Sequence, residues 1–185
     1  MDLPRGVQQR GLVLIDPDFA QLDLTLMRNV FKDARDRRHE RLADLTGGNR
    51  ETAYTLGLLH GVGMVAIDEW AQRHNSSLVM TPKGFPKEYT QSERALLGFT
   101  HADVGAILLK KWDFPIEMVS AVRFQYSPLV AGSGSSLACL VYAAKWMCET
   151  VYLEEGETIP LPDDLWLKPL LIDLKRLTLL SEDLK

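Results

Sequence analysis

The chain has 185 residues, 46% of them hydrophobic and 25% charged, the balance of an ordinary globular domain, alone or with an arm. Its net charge of −4 and pI near 5.6 argue against a general nucleic-acid binder, which carries a basic excess. No apolar run is long enough for a membrane-spanning helix. Met1 to Arg10 lacks the apolar core of a secretory signal, so a cytoplasmic location is expected. The two cysteines, Cys139 and Cys148, are nine positions apart. At 100° per residue they fall on opposite sides of one helix and cannot bridge each other. Unpaired thiols suit a reducing compartment.

In chain order, residues 1–16 read as an N-terminal arm with a short apolar run, Leu12 to Ile15, and residues 17–185 as one helical domain. Asp16-Pro17-Asp18 is a helix start. One long helix or two short ones are expected from Pro17 to Leu45, ended by Thr46-Gly47-Gly48-Asn49. In this stretch Arg28, Lys32, Arg35, Arg37, Arg38 and Arg41 alternate with Asp33, Asp36, Glu40 and Asp44, the pattern of a solvated, salt-bridged helix. A helix over Arg50 to Arg73 has Ala53, Leu56, Gly57, His60, Met64 and Ile67 on its inner face, with Gly57 and Gly61 as a ridge for close packing. After a loop over residues 78–89, Thr90-Gln91-Ser92-Glu93 forms a capping box. Helices are then expected at about 91–98, 101–112, 115–126 and 135–153, with Gly132 to Ser135 as a flexible joint. A last amphipathic stretch covers about 163–181. The fold class is therefore all-α, a compact helical bundle with no β-structure beyond residues 11–16.

Three blocks carry chemistry: Gly57-Leu58-Leu59-His60-Gly61-Val62-Gly63, the run HADVGAILLKKWDFP from His101 to Pro115, and Ala121 to Pro128, which contains Gln125-Tyr126. In the second block His101, Gly105, Leu108, Leu109 and Trp112 share a helix face at i, i+4, i+7, i+8 and i+11. Gly105 lets another helix approach, and Pro115 starts the next. The order and spacing of the three blocks resemble the HDOD family, the HD-related output domains of bacterial signalling proteins. There the second block reads HxxxGxxLLxxWxLP, matched here by His101, Gly105, Leu108, Leu109, Trp112 and Pro115. The resemblance covers roughly residues 22–155 and implies a bundle like the HD-related half of an HDOD domain.

The resemblance also implies a degenerate metal site. An active HD phosphohydrolase ligates metal with an early His, an adjacent His-Asp pair, later His residues and a final Asp. Here the early His position falls near Val30, the pair reads His60-Gly61, the later pair of histidines is Gln125-Tyr126, and the final Asp falls near Ala144-Lys145. Two histidines without a carboxylate are not a hydrolytic metal site, so no catalytic residue, metal or cofactor is expected. His60, His101, Gln125 and Tyr126 are the candidates for a vestigial or ligand-binding site. The plain alternative is that His60 and His101 are buried and bond backbone carbonyls or each other.

The resemblance implies a non-catalytic signalling or regulatory module that acts by protein contact. Relatives carry a further helical half ahead of this one. Its absence would leave apolar surface uncovered, to be met by a protein partner or by self-association as a homodimer, with the arm either exchanged between chains or folded back on its own domain. A second reading is a divergent phosphohydrolase acting on a nucleotide or cyclic nucleotide, with ligands such as Asp68, Glu93 or Asp103. A third is a small-molecule sensor using the cleft around His60, His101, Gln125 and Tyr126. Neither nucleic acid nor membrane is expected as a partner.

Overall fold

The computed structural model describes residues 38–73, 87–151 and 158–183. The arm expected over 1–16, the first part of the helix expected over 17–45 and most of the loop expected over 78–89 lie outside these residues. Among the described residues the fold is all-α and without strands. In chain order the helices are α1 (Arg38–Thr46), α2 (Arg50–Leu59), α3 (Val62–Arg73), α4 (Lys87–Leu97), α5 (His101–Lys111), α6 (Ile116–Arg123), α7 (Ser135–Val151), α8 (Asp164–Leu167) and α9 (Leu174–Glu182). None is long and apolar enough to cross a membrane.

Local sequence explains most of the boundaries. Asn49 caps α2 by accepting the Thr52 N–H at 2.8 Å. Within the described part of the charged stretch, Glu40 and Asp44 pair with an exposed Arg50 at 3.0 and 3.5 Å. Such solvated pairs add little stability. Helix α5 ends in a Schellman arrangement, with Phe114 N–H on the Leu109 carbonyl and Asp113 N–H on that of Lys110. Asp113 takes the left-handed position, φ 56°, which aspartate tolerates better than most residues. Pro115 then takes the N-cap position of α6, without a side-chain cap bond.

Four parts of the chain depart from the sequence expectation. The helix expected over 50–73 breaks at His60-Gly61 into α2 and α3. The break brings Gly63 against α5, where a Cβ would lie 1.9 Å from the His101 carbonyl oxygen and 2.7 Å from the Gly105 nitrogen. The close-packing glycine of the first block is thus Gly63; a Cβ on Gly61 would meet nothing within 4 Å. Gly105 faces Val122 and Val62 across the same crossing, as its place in the second block requires.

Helix α4 begins at Lys87, so Thr90 to Glu93 lies inside it, not at its start. The capping box of this region is Thr100–Asp103, which opens α5. The final stretch is broken by a 3-10 turn, Lys168–Leu170, and by Leu171 at φ 55°. Asp163 and Asp173 cap the two short helices on either side. The expected joint at Gly132 to Ser135 is a 3-10 turn with Gly134 buried against the Glu117 carbonyl.

Two apolar clusters form the interior. The first joins α3, α5 and α6 through Val62, Ile67, Leu108, Leu109, Val119 and Val122. The second joins α1, α2, α7 and the C-terminal helices through Leu42, Ala53, Leu140, Met147, Leu167 and Leu177. Helix α7 belongs to both, which is why Ala138 to Ala144 are all buried. Cys139 is in the second cluster and Cys148 is half-buried; neither is in a disulfide.

Candidate functional site

The residues singled out by the sequence meet where the start of α5, the end of α6 and the middle of α7 converge. His101 opens α5 and is 1% exposed. Its ring is held on both sides. Glu93 on α4, 4% exposed, accepts the backbone N–H of His101 at 2.8 Å and the ring Nδ1–H at 2.7 Å. A carboxylate only accepts, so the ring proton sits on Nδ1. Nε2 of the neutral ring then accepts the Tyr126 hydroxyl at 2.8 Å. Burial pushes the His101 pKa below its ordinary 6.5, with Lys145 adding to this and the bond to Glu93 opposing it.

Behind Tyr126 stands Lys145 of α7. Its ammonium donates a short hydrogen bond to the Tyr126 hydroxyl and another, at 3.2 Å, to Gln125 Oε1. It also lies 4.4 Å from the centre of the Tyr126 ring, a cation–π distance. Burial lowers the Lys145 pKa to about 8, against the opposing pull of Glu149, Cys148 and Glu93.

Gln125 is fully buried. Its amide donates to the carbonyls of His60 and Val122, each at 3.0 Å. A chain of donors and acceptors therefore runs from Glu93 through His101, Tyr126 and Lys145 to Gln125 and the backbone of His60. Each member of that chain has a partner, the condition under which a buried polar network rigidifies a core.

His60 enters the chain by its carbonyl rather than its ring. The ring Nδ1 is 2.8 Å from the Gly57 carbonyl of its own helix. His101, Gln125 and Tyr126 are thus joined side chain to side chain, with His60 at the edge. Glu93 and Lys145 complete the group. The sequence places Glu93 in a cap, with a second role as a ligand candidate in the phosphohydrolase reading, and marks Lys145 only as a cation near a lost carboxylate.

The donor set does not fit a hydrolytic metal centre. The position after His60 is a glycine, the Nδ1 of His101 is used by Glu93 and its Nε2 by Tyr126. An ammonium, which cannot ligate, stands beside Gln125 and Tyr126. Asp103 is engaged by the Thr100 cap, and Asp68 is exposed. Among the described residues no group of three or more His, Cys, Asp or Glu side chains is placed to hold a metal ion.

The HDOD domain family matches residues 38–128, the span that contains α1 to α6 and the His60, His101, Gln125 and Tyr126 positions. No curated protein matches the chain. Among solved structures, the chain is similar to a protein described as "Putative phosphohydrolase from Shewanella amazonensis SB2B". Identity is 26% and the TM-score 0.49, over 79% of this chain and 54% of the other. The chain thus spans about half the length of that protein.

Proposed function

Because residues 38–128 match the HDOD domain family, we propose that this chain is a non-catalytic regulatory module that acts by contact with protein. The observation that carries the reading is the Lys145 ammonium bonded to Tyr126 and Gln125. A cation held inside the cleft supplies the positive charge that a bound metal would bring, and it offers no open coordination position for an activated water. The carboxylates best placed to ligate are committed elsewhere, Glu93 to His101 and Asp103 to the α5 cap.

Contact with protein is supported by the exposed apolar side chains. Leu161, Leu165 and Leu171 are exposed in the C-terminal segment, as are Leu129 and Val130 beside α7. Exposed apolar surface of this kind suits a protein partner, including a second copy of the chain. The acidic net charge gives no support to nucleic acid as the partner.

Elemental analysis of the purified protein, with hydrolysis of p-nitrophenyl phosphate measured before and after chelation, tests the non-catalytic part. The expected result is no stoichiometric transition metal and no chelator-sensitive hydrolysis. Bound metal in stoichiometric amount, with hydrolysis that disappears on chelation, would return the divergent-phosphohydrolase reading.

A further inference from the structure

A cavity of about 760 Å³ opens beside the closed polar network, lined by residues of α4, α5, α6, α7 and the segment around Pro160 and Trp166. Its size falls in the range of small-molecule sites. Of the network, only Tyr126 reaches its wall; His60, His101 and Gln125 do not line it.

We infer that this cavity binds a small aromatic molecule carrying one negative charge. The aromatic part is set by Phe124, Tyr126, Tyr142 and Trp166, which line the cavity together. Tyr142 and Trp166 pack edge to face, with ring centres 4.4 Å apart and planes at 86°. This contact fixes the two rings before any ligand arrives, in an arrangement that a third ring can join.

The charge is set at the rim. Asp103 lies between Arg94 and Arg123, each with a nitrogen 3.5 Å from one of its oxygens. Two guanidinium groups thus share one carboxylate, and the rim has one positive charge in excess. The Asp103 oxygen facing Arg94 already accepts from the Thr100 N–H and hydroxyl, so the arginine contact is long and leaves guanidinium donors unused. Both arginine side chains are more than half exposed, 66% and 58%, and both line the cavity. Their remaining donors can form the paired bonds that a carboxylate or similar oxyanion accepts. Behind the wall, Lys145 faces the carboxylates of Glu149 and Glu93; at the rim itself two guanidinium groups stand against one carboxylate.

The ligand would therefore sit outside the old metal position, against a wall that Tyr126 closes. The site stands on Arg94, Arg123, Tyr142 and Trp166 and is independent of whether the network behind it is catalytic.

Anilinonaphthalene sulfonate is an aromatic monoanion, and N-phenylnaphthylamine is the same ring system without the charge. Fluorescence titration of the full chain with each separates the two halves of the inference. The sulfonate should bind at a single site, more tightly than the neutral probe, and be displaced by naphthoate. The double variant Arg94→Gln/Arg123→Gln, whose near-ultraviolet circular dichroism should match the parent, should weaken the sulfonate about tenfold, as expected for lost bonds to a charged group. The neutral probe should be unaffected, and Trp166→Leu should weaken both.

Equal binding of the two probes would overturn the inference. So would sulfonate binding unchanged by the double variant. Stronger displacement by the dianionic naphthyl phosphate than by naphthoate would overturn the single-charge assignment. If the double variant loses its native spectrum, Arg123→Gln alone carries the same comparison.

Discussion

The two apolar clusters of this molecule are built on different principles, although helix α7 runs through both. Ala138 and Val141 face the first cluster, and Cys139, Leu140, Ala143, Ala144 and Met147 face the second. In the first, helices α3 and α5 cross so closely at Gly63 and Gly105 that backbone meets backbone, and the His101 network sits at the end of the crossing. The second is filled by side-chain volume; among the described residues its polar contacts include the Trp146 indole N–H on the Pro160 carbonyl and the Thr150–Ser181 hydroxyl pair at its edge. The family match covers the first cluster up to residue 128 together with Leu42, Ala43 and Ala53 of the second, and leaves α7 to α9 outside it. A half defined by backbone contacts should fail abruptly on a one-carbon change. A half defined by volume should lose stability in proportion to the volume removed.

The largest expected effect is at Gly63. Gly63→Ala puts a Cβ into the His101 carbonyl, which is backbone and cannot rotate away. A loss of about 3 kcal/mol or more, at the upper end for overpacking, should appear in urea denaturation. Gly61→Ala, two residues earlier and with nothing within 4 Å, should stay within about 0.5 kcal/mol of the parent, as surface changes do. Equal effects at the two positions would mean that α3 and α5 do not cross as described.

In the second cluster, Leu177 of α9 is 1% exposed. Leu177→Ala should cost roughly 2–4 kcal/mol through lost burial and a residual cavity. The unfolding transition should remain single, because α7 ties the clusters together. Two separated transitions would show that the clusters are independent units, and the comparison would then be one between domains.

How much of this was legible in the sequence depends on how local the cause is. The His101–Pro115 block was legible because a helix face and its closing corner are written in consecutive residues. The convergence of His101, Gln125 and Tyr126 was legible through the HDOD resemblance. Glu93 was misplaced because Thr90-Gln91-Ser92-Glu93 fits a capping box in sequence. Its carboxylate is instead drawn inward by a buried imidazole that needs an acceptor, a demand that only the packed structure creates. Gly63 was passed over for Gly57 and Gly61, since the i, i+4 spacing ignores the break at His60-Gly61. The cavity had no sequence signature at all. Arg94, Arg123 and Trp166 come from α4, α6 and α8, and nothing in their spacing brings them together.

The smallest expected effect concerns Lys145, the one member of the network contributed by a helix outside the family match. An unfolded lysine titrates near its ordinary 10.5, whereas burial holds Lys145 at about 8 in the folded chain. Below about 8 both states hold the proton, and the cost of burying the ammonium is present in full. Between about 8 and 10.5 the unfolded chain binds the proton and the folded chain does not, so this residue makes stability rise with pH. Lys145→Met keeps most of the side-chain volume and removes the titration. Near neutral pH it relieves a buried charge but strips Gln125 Oε1 of its donor. The two effects oppose each other, and the net change should be within about 1 kcal/mol. As pH is raised toward about 10, within the window set by the lowered pKa, the parent should gain stability relative to the variant. The two proteins, unfolded in urea at a series of pH values, give that difference directly, with their common tyrosines and other lysines cancelling. A difference that stays flat across the window would mean that the ammonium is solvated rather than enclosed and that the network is open to water.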